Sequence, residues 1–122
     1  RIRKSVSCEQ TLTADTASHR EIMQLIEEMA PDLQRRVVKN NFVGHTFVLK
    51  VKYANFKTHS RSHTYLTQLT EASQFVSAAK TLLPSVLPPG QMIRLVGIGV
   101  ANNQHSADTD STFQPEIDFG EY

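Results

Sequence analysis

Between Asp32 and Glu71 the chain carries Arg35, Arg36, Lys39, Lys50, Lys52, Lys57 and Arg61 with no carboxylate among them. Thr58, Ser60, Ser62 and Thr64, interleaved with His59 and His63, follow the lysines and add short hydroxyl groups to the positive charge. Cations neutralise phosphates while hydroxyls and backbone amides fix their register, so this combination suits a nucleic-acid backbone. Other candidates for chemistry are weaker. His59 and His63 are four apart, a spacing that joins two metal ligands on a helix, but on a strand it separates them by about 13 Å. Cys8 has no neighbour that would activate a nucleophile and reads as a small buried side chain. Glu27 and Glu28 belong to the wet side of a helix. No catalytic constellation and no metal site are expected.

The net charge of +1 conceals a division. Residues 1–94 hold all 13 Lys and Arg against seven acids, whereas residues 95–122 hold five acids and no base. A basic body with an acidic tail implies two surfaces with different partners. At 122 residues and 39% hydrophobic content the chain has material for one two-layer domain. One cysteine cannot form an internal disulfide, and no apolar run approaches the ~20 residues that cross a bilayer, so a cytoplasmic protein without membrane contact is expected. The first residue is Arg rather than Met, which reads as an excised fragment.

The elements that must position the basic groups follow from periodicity. Ser5 to Leu12 alternates, with Ser5 and Ser7 on one side and Val6 and Cys8 on the other, which predicts a first strand. Ser18 and Glu21 form a capping box before a helix whose stripe is Ile22, Leu25, Ile26, Met29, Leu33 and Val37. Pro31 predicts a kink or short break at Ala30. From Thr46 to Tyr53 apolar residues alternate with Lys50 and Lys52. Ala54-Asn55-Phe56 then turns the chain into a polar third strand, Lys57 to Tyr65. Thr70 is placed as the cap of a second helix carrying Ala72, Phe75, Val76, Ala79, Leu82 and Leu83, ended by Pro84 and by Pro88-Pro89-Gly90. Met92 to Val100 predicts the last strand, on which Gly97 and Gly99 leave a bare strip open either to a docking backbone or to close packing. The result is an α+β fold of βαββαβ order, an antiparallel or mixed four-stranded sheet with two helices on one face, the other face open, over residues 1–101. Residues 102–122 read as an acidic, flexible C-terminal tail.

Arg3-Lys4-Ser5-Val6-Ser7-Cys8-Glu9-Gln10-Thr11 resembles the segment that opens the little finger domain of Y-family DNA polymerases. Ile93-Arg94-Leu95-Val96-Gly97-Ile98-Gly99-Val100 is similar to that domain's final strand. The resemblance covers residues 1 to about 101 and is nearest the bacterial DNA polymerase IV branch. It implies a domain that grips the template-primer duplex through its open sheet face, beside a catalytic core carried elsewhere in the parent chain. The parent would be a translesion DNA-directed DNA polymerase using magnesium held by palm carboxylates, and this fragment, without the palm, would have no cofactor and no polymerase activity. Arg3 and Lys4 would belong to the tether from the thumb. In the tail, Gln114, Ile117 and Phe119, within residues 114–119, resemble the short peptide by which these polymerases hook onto the sliding clamp.

The expected DNA-binding set is therefore Arg3, Lys4, Ser5, Ser7, Lys50, Lys52, Lys57, Thr58, Ser60, Arg61, Ser62 and Arg94, contacting phosphates rather than bases, with Gln114, Ile117 and Phe119 for the clamp. Two other classes share the architecture. A single-stranded RNA-binding module would need stacking aromatics on the sheet, and a ferredoxin-like ligand- or protein-binding domain would leave the one-sided basic face without a purpose.

Overall fold

The structure, a computed structural model, describes residues 5–88 and 90–102. Strand β1 (Ser5–Thr16) runs past the expected end at Leu12, because a register shift between Thr11 and Thr16 lets Thr16 pair with Ile93. Helix α1 (His19–Lys39) starts at the expected cap, with the Ser18 hydroxyl accepting from the Glu21 amide at 3.2 Å, but the other half of the capping box is replaced by the Ser18 amide donating to the Thr16 hydroxyl at 3.0 Å. Its stripe of Ile22, Ile26, Met29, Leu33 and Val37 is buried. The helix runs unbroken through Pro31, so of the kink or short break expected at Ala30 the break does not occur. Pro31 and Glu27, the residue whose carbonyl loses its donor, are both on the exposed side, the side on which a helix tolerates the lost bond at least cost.

Strands β2 (Thr46–Tyr53) and β3 (Thr58–Thr64) form a hairpin, followed by α2 (Ala72–Val86) and β4 (Ile93–Ala101). Two boundaries of α2 differ from expectation for local reasons. The N-cap is Glu71 rather than Thr70, because the Gln74 side-chain oxygen accepts from both the Thr70 and the Glu71 amides at 2.9 Å. Pro84 lies inside the helix instead of ending it, again on the exposed side and four residues after exposed Lys80.

The sheet order is β1-β4-β2-β3 and every pairing is antiparallel. Helix α1 packs over β1 and β4, α2 over β2 and β3, and the helices touch each other. The core lies between these layers. Val6, Cys8, Phe47, Leu49, Val51, Val96, Ile98 and Val100 point into it from the strands, and Phe47 stacks on Phe75 of α2 with ring centroids 6.2 Å apart. Burial, then the nearby Asp32 carboxylate, pushes the Cys8 thiol up to about 11, so at neutral pH it holds its proton and packs as an apolar side chain. Among the described residues no helix is long and apolar enough to cross a membrane.

Candidate nucleic-acid interface

Antiparallel register fixes which side chains share the face away from the helices. Across the strands, Thr11, Leu95, Lys52 and Thr58 form one row; Glu9, Gly97, Lys50 and Ser60 the next; then Ser7, Gly99, Val48 and Ser62; and Ser5, Ala101, Thr46 and Thr64 the last. Lys50, Lys52, Thr58, Ser60 and Ser62 are thus on one face, and none of the five is buried. No aromatic residue stands in these four rows.

Ser5 and Ser7 share this side but are buried, at 5% and 0% exposure, as are Val48, Thr46 and Ala101. The expectation of a uniformly open face is corrected accordingly: its accessible part is the half around Lys50, Lys52, Thr58 and Ser60. The bare strip is resolved at Gly99 in favour of close packing. A Cβ there would lie 2.9 Å from Ser7 Cβ and 3.2 Å from the Val6 carbonyl oxygen, so only glycine lets β1 lie this near β4.

Arg61 is a further correction. It pairs with Leu49, a core residue, so it stands on the helix side of β3 with His59 and His63. Residues 60, 61 and 62 cannot share one face of a strand, since alternation sends the middle one to the opposite side. The placement has electrostatic consequences. His59 is held below the usual imidazole range, first by burial and then by the Arg61 charge, and the same cation partly offsets the upward push of burial on Tyr53.

Arg94 escapes the alternation through a bulge. Lys52 pairs with Leu95 and Tyr53 with Ile93, so two residues, Arg94 and Leu95, oppose Lys52, and Ile93 returns to the core. The Arg94 guanidinium carbon lies 4.4 Å from the Phe56 ring centroid. Phe56 is the third residue of the hairpin connection Ala54-Asn55-Phe56, which is closed by the Phe56 amide donating to the Tyr53 carbonyl and the Tyr53 amide to the Lys57 carbonyl, both at 2.8 Å. The Asn55 side chain accepts from the Lys57 amide at 3.0 Å. Lys57 stands exposed at the foot of this turn.

Two acids reduce the charge that the acid-free run suggests. Asp32 accepts from Arg35 at 2.8 Å and from Arg36 at 3.2 Å, and Arg36 also donates to the Ser7 carbonyl at 3.4 Å. Arg35 therefore serves α1 alone, and Arg36 also ties α1 to β1. Lys50 reaches Glu9 at 3.5 Å across Gly97, whose missing side chain clears the path. Lys52 and Lys57 have no carboxylate partner among the described residues. Sequence reasoning passed over Glu9 and Phe56. Finding Glu9 requires the register of three strands, while an aromatic where hairpin turns favour Gly or Asn was a visible signal. Arg3, Lys4, Gln114, Ile117 and Phe119 lie outside the described residues. Among the described residues no group of three His, Cys, Asp or Glu could hold a metal ion.

This frame matches proteins already characterised. Residues 3–113 match the impB/mucB/samB family C-terminal domain. The chain is 33% identical over 119 residues to a DNA polymerase IV of Bacteroides fragilis (strain YCH46), covering 98% of this chain and 33% of that protein. It therefore spans about a third of the length of that relative. Among solved structures it superposes on the little finger domain of PolIV, determined as a complex with the beta-clamp processivity factor, with a TM-score of 0.68, 21% identity and coverage of 95% of this chain and 98% of that one. It also superposes on DinB from Sulfolobus solfataricus, with a TM-score of 0.71, 14% identity and coverage of 80% and 28%. With its element order, its antiparallel sheet and the match along most of its length, the chain belongs to the impB/mucB/samB C-terminal domain family.

Proposed function

We propose that this domain holds duplex template-primer DNA for a translesion polymerase through the phosphates, without reading the bases. The observation that carries the reading is the shared row geometry of Lys50, Lys52, Thr58, Ser60 and Ser62, flanked by Lys57 and Arg94, on the side away from both helices. Lysine and arginine displace condensed counterions, and the hydroxyls accept or donate at fixed spacing along the two backbones. Ser5 and Ser7, being buried, belong to the close pairing of β1 with β4 rather than to the DNA contact. Arg61, on the helix side of the edge strand, takes no part in this grip. Arg3 and Lys4 lead into β1 from the tether. Nucleotidyl transfer, with its magnesium, belongs to the catalytic core of the parent chain, and this domain contributes grip. The tail residues Gln114, Ile117 and Phe119 attach the polymerase to the sliding clamp, as the clamp complex of the related little finger domain supports, and so raise its local concentration at primer ends.

The test is a binding titration of duplex DNA and of single-stranded RNA over a series of salt concentrations. With about four cations on phosphates, log affinity for duplex should fall against log salt with a slope of about −4. Single-stranded RNA should bind more weakly, since the sheet rows offer no paired aromatics on which successive bases could stack. A duplex slope near zero, or stronger binding of single-stranded RNA, contradicts the reading.

A further inference from the structure

The tip of the β2–β3 hairpin holds an aromatic ring that neither the core nor the turn requires. Phe56 has φ of 70°, the left-handed region that a bulky side chain occupies at a cost and that Gly or Asn would occupy more easily. Its side chain gains no burial in return, being 64% exposed. Arg94 covers one side of the ring at 4.4 Å. The loop beneath is fixed by the two amide bonds of the turn, by Asn55, and by the Ala54 amide donating to the Met92 carbonyl at 2.8 Å. A rigid tip thus presents one ring face to solvent, with the other backed by a cation.

On the reading that this face grips duplex phosphates, we propose that Phe56 and Arg94 form a stacking site for an unpaired nucleobase extruded from the bound DNA. Lys57 adjoins the ring in sequence, and Arg94 shares with Leu95 the position opposite Lys52. Phosphates held at these lysines therefore bring a displaced base to the tip. Any base offers a flat π surface, so such a site takes unpaired nucleotides regardless of identity. A paired base is retained by its own stack and does not reach it. An apolar protein partner fits less well, because docking there would strip water from Lys57 and Arg94. The pre-ordered loop lowers the entropy lost when a base arrives.

The experiment uses the full 122-residue chain and two duplexes of equal length, one fully paired and one with a single extra, unpaired fluorescent adenine analogue. The bulged duplex should bind about tenfold more tightly, with quenched emission from the analogue. Phe56→Gly should abolish both differences while leaving affinity for the paired duplex unchanged. Glycine relieves the backbone at this φ, so the variant's melting temperature should be equal or higher, which separates loss of the ring from loss of the fold. Equal affinity for the two duplexes, or a bulge preference that survives Phe56→Gly, overturns the stacking site. Failure of both duplexes to bind overturns the phosphate grip itself.

Discussion

Replacing Lys52, Lys57 and Arg94 together by Ala should reduce the salt slope of duplex binding from about −4 to about −1. For the unmodified domain, raising salt from 50 to 200 mM should weaken binding by roughly 10²-fold, and for the triple variant by only a few-fold. The loss should be the same for every duplex sequence, because phosphate contacts carry no base identity. Arg61→Ala provides the internal comparison. Since Arg61 pairs with Leu49 on the helix side, its removal should leave the slope nearly unchanged, whereas each of the three other cations should account for about one unit of slope. A triple variant that keeps the full slope, or an Arg61→Ala variant that loses as much as the triple, would place the DNA on another surface. These residues are on or beside the solvated side of the sheet, so the substitutions should leave the core, and hence the melting temperature, almost unaffected.

The second large effect is expected in the tail. Changing Ile117 and Phe119 together to Ala should lower affinity for a purified bacterial sliding clamp by more than about 10²-fold. Two apolar anchors filling one pocket each supply on the order of 2 kcal/mol. On this proposal Gln114 contributes only amide hydrogen bonds at the rim, so Gln114→Ala should cost less than the double change. Affinity for duplex DNA should be untouched by either variant, because the rows that carry Lys50, Lys52 and Ser60 lie elsewhere in the chain. Titration of each variant against clamp and against duplex separates the two activities, and undiminished clamp binding by the double variant would remove the tail from the account.

Much of the fold was legible because burial imposes period. The stripe of α1, the alternation in β2 and the branched residues of β4 each had one arrangement that hides their apolar groups, and the sheet with two helices followed. Where sequence reasoning failed, the deciding quantity was nonlocal. Pro31 and Pro84 are tolerated because each falls on the wet side of a helix whose opposite side is anchored in the core, so one lost backbone bond is offset by packing that no local rule contains. The candidate site was legible as a composition and less so as a surface. Arg61 could have been removed by strict alternation alone. For Arg94 alternation alone points to the core side, and the bulge opposite Lys52 is what brings it to the outer face. The burial of Ser5 and Ser7 and the pairing of Lys50 with Glu9 depend on which strands become neighbours. In a sheet ordered β1-β4-β2-β3, the first and second strands meet only across the last one.

That same order makes the central claim directly measurable. Amide chemical shifts of the isotopically labelled chain, followed during titration with duplex DNA, report which surface the DNA touches. The account predicts shifts concentrated at Lys50, Lys52, Lys57, Thr58, Ser60 and Arg94, with Glu27, Pro31-flanking Asp32, Lys80 and Ser85 on the outer helix surfaces unmoved. Shifts centred on the helices, with the rows around Lys50 and Lys52 silent, would contradict it.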